Sequence, residues 1–145
     1  MNSRMQKNQR ARSAFAAGAL GVIAAWSLAA QAADVAVTLS GAQEVPAVTT
    51  SAKGTGTLKF ADDGAVSGGV TTTGITGTAA HIHSGAAGKN GPVVVPLQKG
   101  TDGAWTVPAG AKLTPDQQKL LQSGELYVNV HSTAHPDGEI RGQLK

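Results

Sequence analysis

The sequence predicts an all-β fold, an antiparallel β-sandwich carrying one short helix, and three observations lead there. Val, Thr, Gly and Ala dominate from residue 33 onward, with few aromatics; β-branched residues favour the pleated strand and glycines favour turns and bulges. Short apolar runs recur between strong turn signals such as Ala61-Asp62-Asp63-Gly64. Only one segment carries helix punctuation at both ends.

In order, Val35 to Leu39 alternates with a period of two, Gly54 to Phe60 gives a second strand, and Ala65 to Thr73 returns beside it as a hairpin partner. Thr78 to His83 is a further strand, followed by a loop containing Gly85, Gly88 and Gly91. Pro92 to Leu97 holds the Val93-Val94-Val95 run of a buried strand, and Ala104 to Val107 is another short one. The helix begins at Thr114-Pro115-Asp116-Gln117, with a hydroxyl at N-cap, Pro at N1, an acid in the first turn and Gln at N3. Gly124 ends it, and Leu120 and Leu121 face the sheet. Leu126 to His131 then places Leu126, Val128 and Val130 on one face and Tyr127, Asn129 and His131 on the other. A loop from Ser132 to Gly138 leads into a last strand, Glu139 to Leu144.

The amino-terminal segment has a different character. Arg4, Lys7, Arg10 and Arg12 are its only charges, and a charge-free run from Ser13 to Ala33 ends in Ala30-Gln31-Ala32. That is the pattern of a cleavable secretory signal spanning residues 1–32, leaving a single domain, 33–145, in the periplasm or outside the cell with no stable membrane anchor. The full chain has 12 basic and 9 acidic residues; without the four basic residues of the leader, 8 stand against 9, a net charge near −1. A near-neutral domain offers no basic surface for nucleic acid. With no cysteine in the chain, disulfides and thiolate chemistry are excluded.

The four histidines fall in two short stretches, Ala80-His81-Ile82-His83 and Asn129-Val130-His131-Ser132-Thr133-Ala134-His135-Pro136. Residues two apart on a strand share a face, so His81 and His83 aim both rings at one point while Ile82 enters the core. If the two stretches are neighbours, His81, His83, His131 and His135 can enclose one cation. Imidazole suits copper and zinc; the Irving–Williams order puts copper(II) first and zinc second. Asn129, Ser84, Asp137 and Glu139 are the groups available to orient the rings. The alternative is a pH-sensitive hydrogen-bond network that needs no cofactor. Glu139 and Arg141, on one face of the last strand, read as a cross-strand ion pair, and Trp105 as a core anchor. No nucleophile elbow, phosphate loop or dinucleotide fingerprint is present.

Leu39-Ser40-Gly41-Ala42-Gln43-Glu44-Val45-Pro46, Ala80-His81-Ile82-His83, Gly91-Pro92-Val93, Gly124-Glu125-Leu126-Tyr127-Val128-Asn129-Val130-His131-Ser132 and His135-Pro136-Asp137-Gly138-Glu139-Ile140-Arg141-Gly142-Gln143-Leu144 carry a family signature. From Val37 to Leu144 the chain resembles the CHRD domain, named for chordin and widespread in exported bacterial proteins. The resemblance implies a β-sandwich of immunoglobulin-like type and, from chordin, an extracellular setting. The His-x-His strand is also similar to the copper strand of copper–zinc superoxide dismutases, without their cysteines or longer metal loop. Three functions are thus in play: a module binding one copper or zinc ion for metal handling or structural stability; an extracellular protein-interaction or adhesion module with structural histidines, whose partner is another extracellular protein; and a redox enzyme of dismutase type.

Overall fold

The computed structural model describes residues 33–145; the predicted signal peptide, residues 1–32, lies outside the described residues. Nine strands run β1 (Ala33–Ser40), β2 (Lys53–Phe60), β3 (Val66–Thr73), β4 (Gly77–Ser84), β5 (Val93–Pro96), β6 (Gln98–Lys99), β7 (Ala104–Thr106), β8 (Leu126–Ser132) and β9 (Ile140–Leu144). Among the described residues there is one 3-10 turn, Gly41–Gln43, after β1, and one helix, α1, Pro115–Gln122. Its capping box forms as the sequence requires: Thr114 Oγ1 accepts from the Gln117 backbone N–H, and the Gln117 side chain accepts from the Thr114 N–H. Leu120 and Leu121 pack on the edge of the core.

All pairings are antiparallel, in the order β5-β4-β8-β9-β1-β2-β3-β7-β6. The expected antiparallel all-β fold with one helix is present, and its strands form one continuous, nearly closed sheet. The cause lies at Leu97. Pro96 pairs with His81 on β4, Leu97 N–H donates to Ala80 O at 2.9 Å, and Gln98 pairs with Thr106 on β7. Three consecutive residues therefore carry the chain from one end of the strand order to the other, and the two edge strands are neighbours in sequence. Across the ring the halves meet through a single ladder pair, Ser40 with Arg141.

Inside sits an aliphatic core in which Leu39, Leu58, Ile82, Leu126, Val128, Val130, Ile140 and Leu144 are fully excluded from solvent. Trp105 joins it as expected. The alternation in β8 is as predicted, but its second face is not solvated: Tyr127 and Asn129 are buried too. The loops around residues 41–52 and 85–92 cover that face. Asn90 ties the two together by donating to Val45 O at 2.7 Å. The molecule thus has two interiors, an apolar one inside the sheet and a polar one beneath these loops. Among the described residues, no helix is long and apolar enough to cross a membrane.

Candidate metal centre

The polar interior is built on β4 and β8. Their register sets His81 opposite Asn129 and His83 opposite Tyr127, with His131 two pairs along, opposite Ala79. A bulge lies beside the site: Ile82 pairs with Val95 and His83 with Val93, so Val94 is the extra residue on β5. His81, His83 and His131 each offer one ring nitrogen, and these three atoms lie within 4.8 Å of one another. Ring centroids are 4.9 Å apart for His81 and His131, 5.4 Å for His81 and His83, and 6.2 Å for His83 and His131.

His135 is not in this group, which departs from the four-histidine expectation. The turn after β8 is closed by the His135 carbonyl, which accepts from the Ser132 and Gly138 N–H groups. His135 itself lines a surface pocket of about 250 Å³ with Glu44, Pro46 and Gly138. Spacing in the sequence placed His135 near His131; the backbone turn separates their roles.

Hydrogen bonds assign the tautomers. His83 Nδ1 lies 2.9 Å from Gly91 O, and His131 Nδ1 lies 2.8 Å from Pro136 O. A carbonyl oxygen can only accept, so both Nδ1 atoms carry the proton and both Nε2 atoms of the neutral rings are bare lone pairs. His81 Nδ1, 3.0 Å from His131 Nε2, is then the donor of that pair. Backbone carbonyls, rather than the side chains expected from sequence, orient the rings. Among those side chains, Glu139 instead receives the hydroxyls of Thr50 and Ser132.

Burial favours the neutral rings. Desolvation holds the pKa of His81 below the usual histidine value, with the charges of His131 and His83 adding to it. Desolvation does the same at His83, against the opposing pull of the Gly91 carbonyl. Bare, neutral imidazoles are the form that binds metal. Ligand nitrogens around a tetrahedral ion with ~2.0–2.1 Å bonds stand about 3.3–3.4 Å apart.

Around the rings lies a stack that sequence reading missed. Tyr127 lies flat against His83, with centroids 4.9 Å apart and planes 6° apart, and the Arg141 guanidinium sits 3.4 Å from the Tyr127 ring centre. Arg141 is 1% exposed, yet it makes no ion pair with Glu139. It donates to Ala86 O, Lys89 O, Asn90 Oδ1 and Gln143 Oε1. Gly91 joins stack and ring, since its N–H donates to Tyr127 Oη while its carbonyl accepts from His83. The predicted cross-strand ion pair is therefore replaced by an arginine that pins the loop over the site. The available signal was Arg141 alternating with Ile140, which marks a face but not what covers it.

A family model for the CHRD domain matches residues 35–144, nearly all of the described chain. The chain belongs to the CHRD domain family. CHRD domains are typically found in extracellular or secreted proteins. No curated protein and no solved structure shows a significant match to the chain.

One acid completes this CHRD domain's polar interior. Glu44 is 6% exposed, and burial raises its pKa to about 7, against the opposing influence of Arg141, the Val45 backbone and Asn129. Its folded pKa lies above the ordinary 4.5, so this group's stabilising effect is complete below pH 4.5 and is lost as pH rises towards 7. His81 and His83 act in the opposite sense. Their pKa values are depressed, so the unfolded chain takes up protons first and stability falls as pH drops below about 6.5. Glu44→Gln is therefore expected to raise the melting temperature at pH 8 and leave it little changed at pH 4.5. Thermal melts at the two pH values check this; an equal shift at both would mean that Glu44 does not titrate in this range.

Proposed function

We propose that this protein is an exported metal-binding module that holds one copper(II) ion, or alternatively zinc, through His81, His83 and His131. One observation carries the reading. Three imidazole nitrogens converge within 4.8 Å, and two of the rings have their Nδ1 protons committed to backbone carbonyls, which leaves both Nε2 atoms unprotonated; His83 Nε2 is unpaired, and a cation would take the place of the His81 N–H at His131 Nε2. The leader pattern and the extracellular habit of CHRD domains support a setting in which copper(II) is accessible. The ion would serve metal handling or lock β4 to β8.

A second reading rests on the 3.0 Å His81–His131 bond, which joins two of the rings without any ion. On that reading the histidines are structural, and the domain is an extracellular interaction module. Metal analysis separates the two. The purified protein is expected to retain one copper or zinc per chain, and His83→Ala to lose it. Metal at a hundred-fold excess over Kd should stabilise the fold by roughly 2.7 kcal/mol, roughly ten degrees or more in a domain of this size. No uptake and an unchanged melting temperature would leave the interaction module standing. A superoxide assay on copper-loaded protein tests the dismutase-type activity, which requires an open coordination position.

A further inference from the structure

Among the described residues, three buried side-chain atoms have no hydrogen-bond partner: His83 Nε2, Asn129 Oδ1 and Glu44 Oε1. Buried polar groups are almost always paired, so each such atom calls for a physical account. All three are acceptors. His83 Nε2 is bare because Nδ1 holds the ring proton, an amide oxygen can only accept, and a carboxylate oxygen accepts when ionised. Asn129 sits between the other two groups, influencing the ionisation of His83 on one side and of Glu44 on the other. It also faces His81 directly across the β4–β8 ladder and lies two residues from His131 on the same face of β8. While the His83 ring is neutral the two are unpaired acceptors side by side and repel one another; a proton on Nε2 would pair them, but burial of the ring opposes it. A cation between them removes that cost.

We propose that the Asn129 side-chain oxygen is the fourth ligand of the metal centre, in the role that His135 was expected to take. The inference rests on the three-histidine reading above and extends it. Glu44 is then the positioning residue: its carboxylate lies beside the Asn129 amide, which turns the amide nitrogen towards Glu44 and the oxygen towards the rings. Gly138 makes this arrangement possible. A Cβ at that position would come within 2.6 Å of Glu44 Oε1 and 2.7 Å of Asn129 Nδ2. An N3O donor set has two consequences. The oxygen is a hard ligand, so the site selects a divalent ion, copper(II) or zinc, over copper(I). Four protein ligands also close the coordination sphere, which is the pattern of a structural or carrier site rather than a catalytic one.

The test compares Asn129→Leu, which keeps the approximate volume and removes the donor, with Asn129→Asp, which keeps an oxygen. Copper(II) is titrated into metal-free wild type and each variant, and the copper(II) electron paramagnetic resonance spectrum is recorded. Asn129→Leu is expected to bind about ten-fold or more weaker and to change the hyperfine pattern; it also removes the amide N–H beside the buried Glu44 and so lowers the metal-free melting temperature, and its affinity is therefore read on protein shown to be folded. Asn129→Asp is expected to restore binding, and it carries the test alone if the leucine variant does not fold. Wild-type affinity and spectrum in Asn129→Leu, or failure of the folded aspartate variant to bind, would overturn the proposal. His83→Ala keeps the two readings apart. If wild type binds copper, His83→Ala does not and Asn129→Leu binds normally, only the fourth ligand is wrong; if wild type takes up no copper, the three-histidine reading itself falls.

Discussion

Arg141→Met is expected to destabilise the fold by roughly 3–4 kcal/mol. Methionine retains the stem and much of the volume, so the effect isolates the guanidinium. That group fills the acceptors of two loop carbonyls, Ala86 O and Lys89 O, and of the Asn90 and Gln143 side chains, and it covers the Tyr127 ring. Each buried acceptor left unmatched costs about 1–3 kcal/mol when water cannot reach it, and the cation–π contact adds up to about 2 kcal/mol when desolvated. Partial opening of the loop to water limits the total. Urea denaturation measures the change; a loss under about 1 kcal/mol would mean that the loop is held without Arg141. The variant also removes the positive charge that opposes protonation of Glu44.

Gly91→Ala is expected to damage fold and site together. A Cβ on Gly91 would fall 1.6 Å from Ser84 O, a backbone atom of β4 that no side-chain rotation can move. The loop must therefore shift away from the strand. The same residue accepts from His83 Nδ1 and donates to Tyr127 Oη, so displacement frees the imidazole to change tautomer. The expected cost is about 2–3 kcal/mol of stability, with metal affinity reduced about ten-fold or more, the usual penalty for losing a partner that orients a ligand ring. Copper titration beside a urea melt reads both. Lost stability with wild-type affinity would show that ring orientation does not depend on the Gly91 carbonyl.

Most strand positions were legible in the sequence because those strands have one face in an aliphatic core, and alternation records that face. The helix was legible through its caps, which are local. What escaped was non-local. Gln98 and Lys99 are too few and too polar to announce a strand; they pair because Leu97 delivers them to β7. The joining of all strands into one sheet depends on that corner and on the Ser40–Arg141 pair, neither of which has a sequence pattern. At the site, His-x-His on β4 and His131 on β8 were readable from strand periodicity. His135 could not be placed because a turn follows no period. Gly91, Pro136, Glu44 and Arg141 lie on segments whose part in the site depends on how the loops fold over β4, β8 and β9.

The place of β9 in the strand order bears on when the fold can form. The last of the described strands is not at an edge; it lies between β8 and β1 and so joins the eighth strand to the first. A chain that emerges amino terminus first pairs β1 with β2 early, but the other edge of β1 has no partner until residues 140–144 arrive. Closing the ring is thus a late event of high sequence separation, with the entropy of a loop nearly as long as the domain paid near the end. While residues 140–144 are held back, the ring stays open.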